Sequence, residues 1–271
     1  MNKLNFTPFA TLCLGVTVFA TGVTFIHKLN IKKPADLREY FSYSIDRIPL
    51  ISTHRGGGYD AGFVENNLWE NAVQGYIASI TFADAQIGRL LDALDNSKYK
   101  QNTIIVLFGD HGWNLGEKEH WRKFALWEET THVPFIISAP GMVKPNSVCD
   151  RTVNLMDIYP TLIEMCSFPV KKGMEAVSIF PLLKNPKLEW NHPSVSTWGR
   201  NNHSVRTERW RYIRYSDGGE ELYDHNIDPH EWKNLASDPK LADIKKQLAA
   251  WMPRVNAENA PSENRDGNDG E

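Results

Sequence analysis

The residues of this chain best suited to chemistry stand at Gly109-Asp-His-Gly112, directly after the run Thr103-Ile-Ile-Val-Leu-Phe108. Asp110 and His111 put a carboxylate and an imidazole side by side, two potential metal ligands. The run before them is apolar and β-branched throughout, the pattern of a strand buried on both faces of a parallel sheet. In open α/β sheets, sites form in the crevice outside the carboxyl ends of strands, and this pair falls there. The plain alternative is a turn, with Asp110 bonding nearby amides and Gly112 supplying a positive φ. Lys123 follows; by itself it reads as a solvated surface lysine. Asp224-His225 and Asp228-Pro-His230 look like a second metal cluster, but Asp-Pro starts a turn and that reading is rejected.

The elements around these residues can be placed by period. Residues 69–94 predict a long helix, with Tyr76, Ile80, Ala83, Ile87, Leu90, Leu91 and Leu94 forming one apolar stripe. Asn96-Ser97 ends it, and a helix leading into the buried strand at 103–108 is half of a right-handed βαβ unit. Residues 133–138 predict a second buried strand, ended by Pro140-Gly141, and residues 156–165 a short helix. From Ser194 the pattern changes to short alternating strands. Residues 210–215 alternate, Asp217-Gly-Gly219 supplies a hairpin turn, and residues 221–223 return. Residues 241–252 predict a closing amphipathic helix, and 256–271 a disordered tail almost free of apolar residues. Trp210, Trp232 and Trp251 read as core.

At 271 residues the chain could hold one large or two modest domains. Its 41% apolar and 11% aromatic content predicts a globular protein with a real core. A net charge of −3, with no stripe of Lys or Arg, gives no reason to expect nucleic acid. Three widely spaced cysteines make neither a disulfide framework nor a zinc site. Residues 6–26 carry no charge and follow Lys3. One reading of Met1 to Gly22 is a signal peptide, which would make the protein periplasmic or secreted; threonines, Pro8 and glycines dilute the run below a membrane span.

Four blocks in order carry a family resemblance. They are Tyr76 to Leu94, the Gly-Asp-His-Gly-Trp113 block, Lys123-Phe-Ala-Leu-Trp-Glu-Glu-Thr-Thr-His-Val-Pro-Phe135, and Arg206 to Tyr215 running into Glu221-Leu-Tyr-Asp224 and Asp228-Pro-His-Glu231. Together these resemble the C-terminal half of a sulfatase, in the alkaline-phosphatase superfamily, closest to the iduronate-2-sulfatase and choline-sulfatase branch. The implied fold is α/β, a mixed sheet flanked by helices and present in part, with a small C-terminal antiparallel sheet. The implied division is 1–28 as signal-like segment or truncated buried strand, 29–190 as part of the α/β domain, 191–253 as the antiparallel subdomain with its closing helix, and 254–271 as tail. The rival to the signal peptide is a buried strand of this branch, with Pro8-Phe9, Gly15 or Gly22, His27 and Tyr40-Phe41 in family order.

The resemblance also assigns roles. Sulfatases hydrolyse sulfate esters with one Ca²⁺ and a formylglycine nucleophile. Asp110 and His111 correspond to metal ligands, Lys123 to the lysine aimed at a sulfate oxygen, and His27 to the leaving-group acid. His120 corresponds to a pocket-lining group and His132 to a structural residue, while the Arg200-Asn-Asn-His203 loop would help choose the substrate. Two ligands cannot complete a calcium site, since about six to eight oxygens are usual. The formylglycine motif, Cys-or-Ser-x-Pro-x-Arg, is absent from these 271 residues; Cys13, Cys149 and Cys166 do not stand in it. The expectation is therefore a sulfuric ester hydrolase of sulfated sugars or small alkyl sulfates whose nucleophile is absent here, inactive alone, with a missing N-terminal half or self-association as partner. Two alternatives remain: a non-catalytic binder of sulfate or sulfated carbohydrate, and a two-metal phosphoester hydrolase of the same superfamily, which needs further His and Asp ligands.

Overall fold

The computed structural model describes residues 66–258. His27, the signal-like segment at 1–28 and Tyr40-Phe41 lie outside the described residues, as does the tail beyond 258. No helix among the described residues is long and apolar enough to cross a membrane.

Helix α1 (Trp69–Asp95) is where the apolar period places it. It ends where Asn96 returns both its amide and its Nδ2 to the carbonyl of Asp92, at 3.1 and 2.8 Å. The helix is buried only in its first half, at Gly75, Ala78, Ile80 and Ala83, of which Ile80 and Ala83 belong to the predicted stripe. That half meets aromatic partners: Trp69 packs edge-on against Trp121 and Tyr76 stacks on Trp113. Further along, Leu90 and Leu91 are exposed.

Strands β1 (Ile105–Phe108) and β4 (Phe135–Ser138) pair antiparallel, with Ile105 opposite Ser138 and Phe108 opposite Phe135. This differs from the reading of 103–108 as a strand of a parallel sheet buried on both faces and of 133–138 as a second buried strand: the two pair antiparallel, all four β1 residues are half-buried and Ile136 is exposed. Direction is set by the connection. A parallel neighbour needs a crossover that runs back the length of the strand. Here the intervening chain is spent on a tight hairpin, β2 (Asn114–Leu115) with β3 (Trp121–Arg122), and on a four-residue helix α2 (Glu128–Thr131). It re-enters beside the end it left, and Gly109 N–H bonds the Pro134 carbonyl at 3.0 Å. Behind β4, helices α3 (Ile158–Met165) and α4 (Phe180–Lys184) bury Met165 and Phe180 against Ala139, with Ile104 and Ile137 alongside.

The C-terminal region is a four-stranded antiparallel meander: β5 (Ser194–Thr197), β6 (His203–Arg206), β7 (Trp210–Arg214) and β8 (Glu220–Asp224). The predicted hairpin is its last pair, with Tyr212 opposite Leu222 and Ile213 opposite Glu221. Alternation splits the sheet into two apolar faces. On one, Val205, Tyr212 and Leu222 pack with Ala236, Leu248 and Met252, closed by helix α5 (Ala242–Ala249). On the other, Ile213 and Tyr223 bury Leu126. A fully buried side chain of this size contributes roughly 1.5–3 kcal/mol, so the second face holds the segment around Leu126 firmly. Of the predicted core tryptophans, Trp210 packs against the first face, but Trp232 and Trp251 are exposed.

Candidate active site

The Gly109–Gly112 turn leaves β1 and docks onto α2. Gly112 N–H bonds the Thr130 carbonyl at 2.7 Å and Trp113 N–H the Glu129 carbonyl at 2.9 Å. Gly112 does not supply a positive φ, as the turn reading expected; it is absent from the left-handed glycines. It is required for close approach instead, because a Cβ there would sit 1.9 Å from the Glu129 carbonyl oxygen. Docking in this way turns Asp110 outward. Its Oδ1 accepts the His111 amide at 3.1 Å, and Oδ2 lies 3.6 Å from His111 Nε2. His111 Nδ1 donates to the Gly112 carbonyl at 2.9 Å, which fixes the tautomer and leaves the Nε2 lone pair pointing outward. Lys123 Nζ donates to that lone pair at 3.0 Å. Asp110, His111 and Lys123 thus converge on one spot at the carboxyl end of β1.

Lys123 arrives there through a constrained loop. The β2–β3 hairpin turns through left-handed Gly116 (φ 113), Lys118 (φ 54) and Glu119 (φ 56), and Arg122 (φ 74) precedes Lys123 directly. At Lys118, Glu119 and Arg122 such backbones cost of order 1–3 kcal/mol each and persist only when the surroundings fix them. Asn114, fully buried, supplies one fixing point, with Nδ2 donating to the Arg122 carbonyl at 2.9 Å and to Thr130 Oγ1 at 2.5 Å. Lys118 supplies another. Its Nζ donates to Tyr223 Oη at 3.1 Å and lies over the rings of Trp127 (4.6 Å) and Tyr223 (4.3 Å). Burial pushes its pKa down against the pull of Glu221 and Glu231. Glu221 in turn accepts from Trp127 Nε1 at 2.7 Å, Tyr223 Oη at 2.6 Å and Tyr215 Oη at 3.1 Å. Burial, and then the Glu221 charge and hydrogen bonds, push both tyrosines above their ordinary value.

Below the loop lies an ion network that no local pattern in the sequence announced. Arg211, 1% exposed, bridges Glu231 and Glu128, and donates to the Leu126 carbonyl at 3.2 Å and Ser204 Oγ at 2.9 Å. Arg206 Nε reaches Glu128 at 3.1 Å. His225 links Glu231 (2.8 Å) to Arg206 (2.9 Å), and Glu231 also accepts the Glu128 amide at 3.0 Å. Burial pushes Glu128 and Glu231 up, yet hydrogen bonds from His132 and His225 and the charges of Arg211 and Arg206 hold both below the ordinary range. Glu128, His225 and Glu231 bring ligand atoms within 4.8 Å of one another. Two guanidinium groups already neutralise those carboxylates, so the cluster is an ion network with its cations built in. Asp224 is likewise engaged, taking Arg209 at 2.9 and 2.7 Å.

The profile of the Sulfatase family matches residues 47–167, and that of the C-terminal part of N-sulphoglucosamine sulphohydrolase matches residues 116–258. The chain belongs to the sulfatase family. Among its relatives is a sulfatase of Formosa agariphila, 40% identical over 195 residues, 72% of this chain and 38% of the relative. A Delta 4,5-hexuronate-2-O-sulfatase of Bacteroides thetaiotaomicron is 34% identical over 182 residues, 62% of this chain and 37% of the relative. A structure solved in complex with its substrate D-glucosamine-2-N,6-O-disulfate is 25% identical with a TM-score of 0.59, covering 70% of this chain and 43% of that one. The chain therefore spans less than half the length of these relatives, and its fold is the alkaline-phosphatase-like α/β type. Family membership implies use of a metal ion. The two matches overlap over residues 116–167, which contain the strained hairpin turn and Lys123.

Not every residue expected at the sulfatase site is brought there. His203 is the clear correction: it opens β6 instead of lying in a loop, is buried, and has both ring nitrogens engaged, by Thr197 Oγ1 at 2.9 Å and Asn256 Oδ1 at 2.7 Å. Arg200 is on the exposed β5–β6 turn, 3.8 Å from Glu258. His120 packs edge-on against Trp127, its buried Nε2 without a partner among the described residues, and burial pushes its pKa down, favouring the neutral ring. His132 caps α2 and sits 3.3 Å from Glu128. A cavity of about 570 Å³ lies apart from these groups, lined by Gln101 and residues 138–145. It holds neither carboxylate nor imidazole.

Proposed function

We propose that this chain carries the sulfate-oxygen and metal-facing part of the active site of a sulfuric ester hydrolase acting on sulfated carbohydrates. The observation that supports it is the convergence of Lys123 Nζ on His111 Nε2 at 3.0 Å, with Asp110 Oδ2 3.6 Å from the same nitrogen. An anionic oxygen and an outward lone pair facing one spot are a donor set a divalent cation fits, and Asp110 is exposed enough to meet one. In this reading Asp110 and His111 hold Ca²⁺, which needs further oxygen ligands from elsewhere. When bound, it would withdraw charge from the sulfuryl oxygens. Lys123 then turns from His111 to a sulfate oxygen, a compact ammonium stabilising charge as the S–O bond to the alkoxide breaks. Arg200, on the β5–β6 turn, and His120 are the remaining candidates for contact with substrate. The sugar class follows the substrates named for the hexuronate sulfatase and the glucosamine disulfate complex.

Calorimetry of the purified chain with sodium sulfate and Ca²⁺ tests this. Sulfate binding that is weakened by Lys123→Met and by Asp110→Asn supports it. No binding at millimolar sulfate by folded protein, or binding indifferent to both substitutions, overturns it. The chain alone is expected to show no turnover of an aryl sulfate; turnover lost on Asp110→Ala would refute that expectation.

A further inference from the structure

Beside Lys123 stand two large apolar rings that the fold does not bury. Phe124 is 50% exposed and Trp198 is 48% exposed. They come from distant segments, the loop after β3 and the turn after β5, yet their ring centroids are 6.2 Å apart at an interplanar angle of 38°. The turn that carries Trp198 is held deliberately. Trp198 N–H bonds the Asn202 carbonyl at 3.2 Å, Asn202 Nδ2 donates back to the Trp198 carbonyl at 2.9 Å, and Gly199 and Asn201 take left-handed φ of 68° and 65°. That clasp fixes the backbone while leaving the indole outward. Lys123 Nζ is 5.8 Å from the centre of the Phe124 ring. A cationic notch and an apolar platform therefore adjoin.

We propose that Phe124 and Trp198 form a stacking platform for the sugar ring of a sulfated carbohydrate whose sulfate lies at Lys123. This rests on the reading of Lys123 given above and adds the residues that select the sugar. A pyranose presents an apolar C–H face and directs its hydroxyls outward from its edge; an aromatic face, with its negative quadrupole, takes that C–H face without desolvating the hydroxyls. A protein partner would need an apolar surface much larger than two rings, whereas a single ring beside a bound anion fits the area available. Inorganic sulfate reaches the notch but gains nothing from the platform.

The test is calorimetric titration of the full chain, with Ca²⁺, against sodium sulfate and against glucosamine 6-sulfate. The sugar sulfate should bind more tightly than sulfate. Trp198→Ala and Phe124→Ala should each weaken the sugar sulfate about three- to tenfold, the size of a lost aromatic contact, and leave sulfate affinity unchanged. Trp198→Phe should restore most of the loss, which separates loss of the ring from loss of fold. Lys123→Met should weaken both ligands. If sulfate binds as expected but the sugar sulfate is no tighter, or is indifferent to both alanine variants, the platform is refuted while the notch survives. If sulfate itself does not bind, the reading of Lys123 fails and the platform with it.

Discussion

Arg211→Met isolates the ion network beneath the site loop. Arg211 is 1% exposed, Glu231 is fully buried and Glu128 retains only 19% of its side-chain exposure. Removing one partner of a buried pair costs about 3–5 kcal/mol, because a charge is left uncompensated. Here both carboxylates keep something: Glu231 retains His225 and the Glu128 amide, and Glu128 retains Arg206. That argues for the lower end. The hydrogen bonds to the Leu126 carbonyl and Ser204 Oγ are lost as well, each of order 0.5–1.5 kcal/mol, while methionine recovers part of the packing. The expected loss is about 3 kcal/mol in urea unfolding at pH 7, or roughly 6–12 °C in Tm for a chain of this size. The pH dependence has a definite sign. Both glutamates have depressed pKa values in the folded state, so their stabilisation is present above the unfolded value, about 4.3, and is lost as pH falls through the folded one. The gap between wild type and Arg211→Met should therefore be full at pH 7 and shrink below about pH 4. The double variant with Glu231→Gln should be less destabilised than the single one, since it removes the orphaned charge. A loss below about 1 kcal/mol in the single variant, or a gap that widens in acid, would refute the argument.

Two further outcomes follow from particular contacts. Gly112→Ala places a Cβ 1.9 Å from the Glu129 carbonyl oxygen, so it should cost about 1–3 kcal/mol by chemical denaturation and abolish sulfate binding; an alanine variant that binds sulfate normally would show that the Gly109–Gly112 turn need not dock on α2. Exposed Ile136 on β4 with Phe82, Leu90 and Leu91 on α1 presents apolar surface and strand edge, so the chain should self-associate in light scattering and Ile136→Lys should reduce this; a clean monomer at high concentration would count against it.

Much of the architecture was legible because its signals are local. The helix expected over 69–94 is Trp69–Asp95, and the hairpin expected over 210–223 is the β7–β8 pair. Period and turn residues act within a few positions, and nothing distant overrode them. Strand direction was not legible, because the apolar run at 103–108 reports burial and says nothing of which way its neighbour runs. Asp110 and His111 stood out as a ligand pair at the end of the apolar run, whereas Lys123 alone looked like an ordinary surface lysine and was found through the resemblance; the three do converge. Arg211, Glu128 and Glu231 went unseen: the arginine lies 83 residues from one partner and 20 from the other. The alternation at 210–215 offered no hint, because it reads Arg211 as a solvent-facing residue like the exposed Arg214. His203 misled because a polar loop and a buried residue opening a strand read alike when Asn201 and Asn202 precede them.

The meander is usually the part of such a chain one would set aside as packing, yet here it decides where Lys123 stands. Its α5-facing side is an ordinary apolar core. The other side holds the segment from the β2–β3 turn to α2 at three points of different chemistry: Leu126 on Ile213 and Tyr223, Lys118 in the Trp127–Tyr223 pair, and Glu128 on Arg206 and Arg211. Lys123 lies between the Lys118 and Leu126 anchors, on backbone that includes left-handed Arg122. The β1 turn reaches the same segment independently, through Thr130 and Glu129. The His111–Lys123 contact at 3.0 Å is thus the meeting of two separately anchored pieces. Loosening either one should separate the pair without touching either side chain, which is why damage at Arg211, on the far side of the loop, is expected to appear as weakened anion binding as well as lost stability.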